Sequence, residues 1–120
     1  MRCLLVDDHV RFLEEAQRTL LREGIHIVAV ATTAGDARRV LTSQAVDLLL
    51  LDIDLGEESG LELLNRLARE SRLTSMRVIL ISAHAEADFT ELIEASPAAG
   101  FIAKTELSAK AIYDVLGESG

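Results

Sequence analysis

The chain has 120 residues, of which 49% are hydrophobic and only 3% aromatic, so we expect a single domain with an aliphatic core. Its formal net charge of −8 argues against direct binding to nucleic acid or to an anionic membrane, because both need a basic footprint. The single cysteine, Cys3, excludes an intrachain disulfide, and no apolar run could span a bilayer, so a cytoplasmic location is expected.

Five short apolar runs predict β-strands, and segments of helical length separate them. Three of the runs are almost continuously apolar, which is typical of strands in a parallel sheet that helices cover on both faces. The strands are predicted at residues 3–6, 25–31, 48–51, 78–81 and 101–103.

The segments that follow these runs predict five helices. Thr33 is a candidate N-cap for the second helix, and Ser59 and Glu62 have the spacing of a capping box at the third. The alternation predicts a (βα)5 protein with a parallel sheet and right-handed crossovers. The helices are predicted around residues 10–21, 33–41, 59–68, 86–95 (before Pro97) and 107–116, within a domain of residues 1–117 that leaves 118–120 as a tail or the start of a linker.

Polar residues stand where four of the predicted strands end. They are Asp7 and Asp8 after the first strand, Asp52 after the third, Ser82 after the fourth and Lys104 after the fifth. Ligands of open α/β sheets bind outside the carboxyl ends of the strands. We therefore expect these five side chains to share one rim of the sheet.

The three acids on this rim suggest a metal-dependent phosphoryl site. Carboxylates at close range repel one another unless a proton or a cation intervenes, and a hard cation such as Mg²⁺ suits oxygen ligands. Asp52 could attack phosphorus to form an aspartyl phosphate. Each residue also has a simpler interpretation: Asp52 as a turn cap, and Asp7 and Asp8 as N-caps of the first helix.

Ser82 and Lys104 fit the same chemistry. A hydroxyl and an ammonium group could both stabilise charge on a phosphoryl group, since such catalysis is mostly positioning and electrostatics. Taken singly, Ser82 could be only a turn residue and Lys104 only a solvated cation. The combination of nucleophile, metal ligands, cation and hydroxyl is what makes the pattern specific.

Four motifs resemble those of receiver domains from two-component response regulators. They are LLVDDH (4–9), DLLLLDIDLGEESGLELL (47–64), VILISAH (78–84) and AAGFIAKTE (98–106), and the resemblance covers essentially the whole chain. It implies the CheY-like fold, a flavodoxin-like three-layer α/β sandwich with a parallel five-stranded sheet of order 2-1-3-4-5. The Asp-Asp-His start and the pair Lys104-Thr105 resemble the NarL/LuxR-type branch.

The resemblance implies a role for each acid of the rim. Asp52 would accept a phosphoryl group from the phosphohistidine of a sensor histidine kinase. Asp8, Asp52 and the backbone carbonyl of Asp54 would bind Mg²⁺, for which Mn²⁺ could substitute, and Asp7 would act mainly through water.

The resemblance also implies a switch. Ser82 and Lys104 would contact the phosphoryl group, Ser82 would move toward it and Phe101 would rotate inward. Asp54 and His84 occupy positions that would tune the lifetime of the phosphorylated state. The protein would then be a switch with slow autodephosphorylation and not a metabolic enzyme. It would form a homodimer on phosphorylation and control transcription through a C-terminal helix-turn-helix domain absent from this chain.

The chain departs from the family pattern at two positions. Gly56 stands where many receivers have proline, and Thr105 replaces another frequent proline, so a cis bond there is not expected.

Two other functions are alternatives to a phosphorylated receiver. A pseudo-receiver would keep the fold as an interaction module without phosphorylation. The sequence Asp52-Ile53-Asp54 also resembles the DxD start of haloacid-dehalogenase-like phosphatases, although the acidic pair here lies upstream of it.

Overall fold

The computed structural model describes residues 1–84 and 88–118, which form a parallel sheet between two layers of helices. Its strands are β1 (Arg2–Val6), β2 (His26–Ala31), β3 (Leu48–Asp52), β4 (Asp54–Leu55), β5 (Glu58–Ser59), β6 (Arg77–Ser82) and β7 (Gly100–Ala103). Its helices are α1 (Val10–Arg22), α2 (Ala34–Ser43), α3 (Gly60–Arg69), α4 (Thr90–Glu94) and α5 (Ala109–Leu116).

The main sheet has the strand order β2-β1-β3-β6-β7, and every neighbouring pair is parallel. Counted within this sheet alone, the order is 2-1-3-4-5, so the predicted fold class is confirmed. Leu50 at the centre of β3 is registered with Leu5 on β1 and with Ile79 on β6. The carboxyl ends of these strands therefore lie at one edge of the sheet.

The core lies on both faces of the sheet because successive side chains of a strand point in opposite directions. Cys3 and Leu5 of β1 belong to a cluster with α1 and α5, whereas Leu4 and Val6 belong to a cluster with α2 and α3. All four side chains are fully buried. Burial raises the pKa of the Cys3 thiol to about 12, so this cysteine serves as a small hydrophobic residue.

Two helix starts agree with the predicted caps. The Thr33 hydroxyl accepts a hydrogen bond from the Asp36 amide, and the Ser59 hydroxyl accepts one from the Glu62 amide. The N-cap of α1 is instead His9, whose side chain makes no capping hydrogen bond. Asp7 and Asp8 are therefore not the N-caps of α1 that their simpler interpretation expected.

Two predicted helices have shorter bounds in the described structure. The helix predicted at 86–95 is described only over Thr90–Glu94, and residues 85–87 lie outside the described part of the chain. The last helix begins at Ala109 and not at 107, because the Ser108 hydroxyl caps it by accepting from the Ala111 amide. Leu107 precedes this helix and is partly buried against the hydrophobic cluster that includes residues of α1 and α5. The predicted tail is described only at its first residue, 118.

A short antiparallel hairpin of β4 and β5 was not predicted. It pairs Asp54 with Ser59 and Leu55 with Glu58, and its two-residue strands are too short to leave a periodic pattern. Gly56 adopts a φ of 77° in its turn, a conformation that glycine allows without steric cost. No described peptide bond is cis, and no helix in the described ranges is long and apolar enough to cross a bilayer.

Candidate functional site

The predicted site residues lie at the carboxyl edge of the main sheet. Asp7 directly follows β1, Asp52 and Ser82 are the last residues of β3 and β6, and Lys104 directly follows β7. Asp7, Asp52 and Ser82 are the buried polar residues of the described chain. Their burial marks this edge as the place where polar groups are kept inside the protein although they are costly there.

Asp52 is held by one contact on each carboxylate oxygen. Its Oδ1 accepts a hydrogen bond from the Asp54 amide at 3.1 Å, and its Oδ2 accepts one from Lys104 Nζ at 3.0 Å. Burial raises the pKa of Asp52 to about 6; the nearby Asp7 charge acts in the same direction, and the two hydrogen bonds oppose it. The carboxylate is therefore ionised at neutral pH but sits in an unfavourable environment.

Lys104 joins two of the acids. Its Nζ lies 2.5 Å from Asp7 Oδ2 and 3.0 Å from Asp52 Oδ2, and its side chain is 11% exposed. Burial lowers the pKa of Lys104, but its hydrogen bonds to the two carboxylates and their charges outweigh this effect and raise it. The ammonium group also lies 4.7 Å from the centroid of the Phe12 ring, a cation–π distance that helps to fix its position.

His9 is a site residue for which the sequence analysis gave no chemical role. Its backbone amide donates to Asp7 Oδ1 at 2.8 Å, and its ring Nδ1 lies 2.8 Å from the same oxygen. Nδ1 is also 3.1 Å from Asp8 Oδ1 and 3.8 Å from Asp52 Oδ2. The hydrogen bond to Asp7 raises the pKa of His9, and the Lys104 charge opposes this rise. The Asp-Asp-His sequence was the available signal.

The donor set of this rim fits a divalent cation. Asp7, Asp8, His9 and Asp52 each offer one ligand atom, and these atoms lie within 4.8 Å of one another. Ligands of an octahedral ion with bonds near 2.1 Å are separated by about 3.0 Å in cis and about 4.2 Å in trans. Asp8 Oδ1 is buried and accepts no hydrogen bond from the described residues, although His9 Nδ1 lies 3.1 Å from it, so its lone pairs are available to such an ion.

Gly56 provides room beside Asp8. A Cβ atom on Gly56 would lie 2.8 Å from Asp8 Oδ2, closer than such atoms approach in proteins. Proline there would also need a negative φ, whereas the observed value is 77°. The glycine therefore belongs to the geometry of this hairpin and of the acidic pair beside it.

The side chains of the remaining predicted residues surround the rim and make no described hydrogen bond to Asp52. Ser82 Oγ accepts from the His84 amide at 3.0 Å, and the exposed Asp54 carboxylate accepts from the Gly56 amide at 3.1 Å. Phe101 is 7% exposed and already packed inward, 6.3 Å from the Phe89 ring centroid. Phe89 in turn lies 6.0 Å from His84, so an aromatic row runs from the rim to β7.

Comparison with known proteins identifies the family. The family model described as the response regulator receiver domain matches residues 3–115. The alginate biosynthesis transcriptional regulatory protein AlgB of Pseudomonas putida is 38% identical over 87 residues, which are 72% of this chain and 19% of AlgB. The response regulator UvrY of Escherichia coli is 30% identical over 103 residues, which are 84% of this chain and 46% of UvrY.

Solved structures agree on the fold. A CheY-like receiver domain protein of Methanospirillum hungatei has a TM-score of 0.78 at 24% identity, over 97% of this chain and 90% of that one. RcsB of Salmonella enterica, solved on promoter DNA with a phosphomimetic, has a TM-score of 0.81 at 20% identity, over 99% of this chain and 62% of that one. The chain thus spans between about a fifth and half of the curated relatives named above.

Proposed function

The chain belongs to the response regulator receiver domain family and is the receiver domain of a two-component response regulator, and we propose that it accepts a phosphoryl group on Asp52. The observation that carries this proposal is the position of the Asp52 carboxylate, buried at the strand ends with Lys104 Nζ at 3.0 Å. Because the Asp54 amide donates to the other oxygen, both carboxylate oxygens of Asp52 accept a hydrogen bond.

In the proposed reaction, a carboxylate oxygen of Asp52 attacks the phosphorus of a phosphohistidine on a sensor histidine kinase. A P–O bond forms, the P–N bond breaks, and the electron pair of that bond leaves with the imidazole nitrogen, which takes up a proton. Lys104 would then lie beside negative charge on the transferred group, and Ser82 would donate a hydrogen bond to it. Hydrolysis of the acyl phosphate would return Asp52 slowly to its free form.

Mg²⁺ belongs to the same proposal, with Mn²⁺ as a substitute. Asp8, Asp52 and the backbone carbonyl of Asp54 would hold the ion, and Asp7 would bind it mainly through water. When bound, the ion would neutralise negative charge at the acidic rim and on the phosphoryl oxygens. The support on this chain is the set of closely spaced carboxylates and the buried Asp8 Oδ1, which accepts no hydrogen bond from the described residues.

The switch and its output are the final part of the proposal. Ser82 and the inward-packed Phe101 would convert phosphorylation into a changed surface of α4, β7 and α5, and a second copy of the domain would bind there. The relatives named above are transcriptional or response regulators much longer than this chain. We extend from them to a helix-turn-helix output in the full protein, and from the composition to a cytoplasmic location.

Intact-mass spectrometry tests the chemistry directly. The purified chain is incubated with acetyl phosphate and Mg²⁺, and we expect one added phosphate that is absent from Asp52→Asn. The control variant Asp114→Asn removes an exposed acid that pairs with Lys110 on α5, and it should be phosphorylated like the wild type. A wild type without an adduct would support the pseudo-receiver instead, and turnover of p-nitrophenyl phosphate would support the phosphatase.

A further inference from the structure

The acidic rim contains a nitrogen donor in addition to its oxygens. His9 Nδ1 lies 2.8 Å from Asp7 Oδ1, 3.1 Å from Asp8 Oδ1 and 3.8 Å from Asp52 Oδ2. Two ligands of one octahedral ion are about 3.0 Å apart in cis and about 4.2 Å apart in trans. All three distances lie close to or within that range, so the ring nitrogen stands where a ligand of the same ion would stand.

The Asp7 carboxylate holds the imidazole in this position. Asp7 Oδ1 receives the His9 amide and also contacts the His9 ring, so a single fully buried oxygen fixes both the chain and the side chain. The rest of the ring is open, since the His9 side chain is 65% exposed. Because a carboxylate only accepts, Nδ1 carries the hydrogen in its contact with Asp7, and Lys104 Nζ lies 3.4 Å from the same nitrogen. An ion could bind Nδ1 once this hydrogen has left it, with the ring hydrogen on Nε2 in water.

We propose that His9 Nδ1 is a direct ligand of the divalent ion bound at this rim and makes the site prefer transition-metal ions over Mg²⁺. This inference rests on the metal-binding part of the proposed function. Imidazole suits transition metals, whereas Mg²⁺ is a hard ion that selects oxygen. Nitrogen-containing sites bind divalent ions more tightly along the series from Mn²⁺ to Ni²⁺.

The proposal predicts a graded effect of one substitution. His9→Gln removes the nitrogen lone pair at a side chain that is 65% exposed and makes no capping hydrogen bond to α1. We expect it to weaken Ni²⁺ binding most and Mn²⁺ binding less, by about tenfold or more for Ni²⁺, the scale on which even outer partners of metal ligands act. Mg²⁺ binding should change least. A loss of charge or a change in shape alone would shift the affinities for all three ions together.

Calorimetric titration of the full chain with each metal salt alone, at about pH 8, above the usual pKa of imidazole, measures these affinities. His26→Gln is the matched control because His26 is also an exposed histidine but begins β2, away from the carboxyl edge. Pulsed EPR of the Mn²⁺-loaded protein adds a second readout. A ¹⁴N coupling from a directly bound nitrogen should be present in the wild type and in His26→Gln and absent from His9→Gln.

Two results would overturn this proposal alone. One is a Mn²⁺-loaded wild type without a directly coupled nitrogen, and the other is an equal change in affinity for all three ions in His9→Gln. Wild type that binds none of the ions would overturn both this inference and the metal part of the proposed function. Normal metal binding together with failed phosphorylation of Asp52 would contradict the proposed function alone.

Discussion

The charged side chains at the two ends of the main sheet differ in their burial and in their partners. At the amino end, the exposed Asp47 carboxylate accepts from the Arg2 amide at 2.7 Å, and the Arg2 side chain donates to the Ala45 carbonyl at 2.7 Å. At the carboxyl end, Asp7 and Asp52 are buried and share one lysine, Lys104. The charged residues at the amino end form hydrogen bonds between distant parts of the chain. At the carboxyl end, the two buried carboxylates repel each other.

The difference separates structural charges from functional ones. An exposed charge that hydrogen-bonds to the backbone contributes little through its charge and costs little, because water screens it. Buried acids that outnumber their cation cost free energy, and stability gives no reason to place them there. A site that must bind a cation and an anionic group does give such a reason, since both would relieve the excess charge.

Loss of the shared cation should produce the largest effect. Lys104→Met keeps the length of the side chain but leaves the buried acids Asp7 and Asp52 without a positive partner. Removing one member of a buried ion pair costs about 3–5 kcal/mol, so we expect a loss of about 3 kcal/mol in the free energy of unfolding. Urea denaturation in the presence of a chelator measures it.

Lys110→Met is the matched control. It removes a lysine that pairs with Asp114 on the exposed face of α5 at 2.9 Å. Its free energy of unfolding should stay close to that of the wild type, as exposed pairs contribute little. Equal stability of Lys104→Met and Lys110→Met would remove the contrast between the two kinds of charge.

The same substitution at the two ends should have opposite signs. Asp52→Asn removes a buried charge, and we expect it to stabilise the metal-free protein at neutral pH. The pKa of Asp52 is raised from 3.8 to about 6, and one pKa unit is worth about 1.4 kcal/mol, so the gain is at most about 3 kcal/mol. Asp47→Asn weakens a hydrogen bond to Arg2 and should lower stability by less than about 1 kcal/mol.

The pH dependence of this gain tests its cause. Because the folded protein binds the Asp52 proton more tightly than the unfolded chain does, folding is favoured below pH 4 and loses this contribution as the pH rises from about 4 to about 6. The stability difference between Asp52→Asn and the wild type should therefore be largest above about pH 6 and shrink on acidification. A difference that is constant between about pH 4 and pH 7 would assign the gain to something other than the buried charge.

The fold class could be predicted from the sequence because it depends on long patterns of apolar residues. The apolar runs that became β1, β3 and β6 are buried on both faces, so their composition alone indicated a parallel sheet. Once the strands were placed, their ends followed, and with them the shared rim of Asp52 and Lys104.

Features that depend on a few residues were out of reach. The β4–β5 hairpin has two residues in each strand, so it leaves no periodic signal. Helix α4 was predicted, but its described length of five residues is too short for a periodic pattern to set its bounds. The contacts of His9 depend on a rotamer and on the turn after β1, and no spacing rule encodes either of them. The ammonium contact of Lys104 with Phe12 similarly joins residues far apart in sequence.

The smallest predicted effect concerns the exposed edge of the rim. Asp54 and His84 are exposed and close in sequence to Asp52 and Ser82, so they flank the place where water would reach a phosphoryl group. The Asp54 carboxylate can accept a proton from that water and orient it. We expect Asp54→Asn with His84→Ala to slow the decay of phosphorylated protein by about threefold, or about 0.7 kcal/mol in the barrier.

The control Asp114→Asn with His26→Ala makes the same chemical changes far from the rim. If both double variants decay at the wild-type rate, as followed by intact mass after the phosphate donor is removed, the lifetime is set within the buried group of charges and not at its exposed margin.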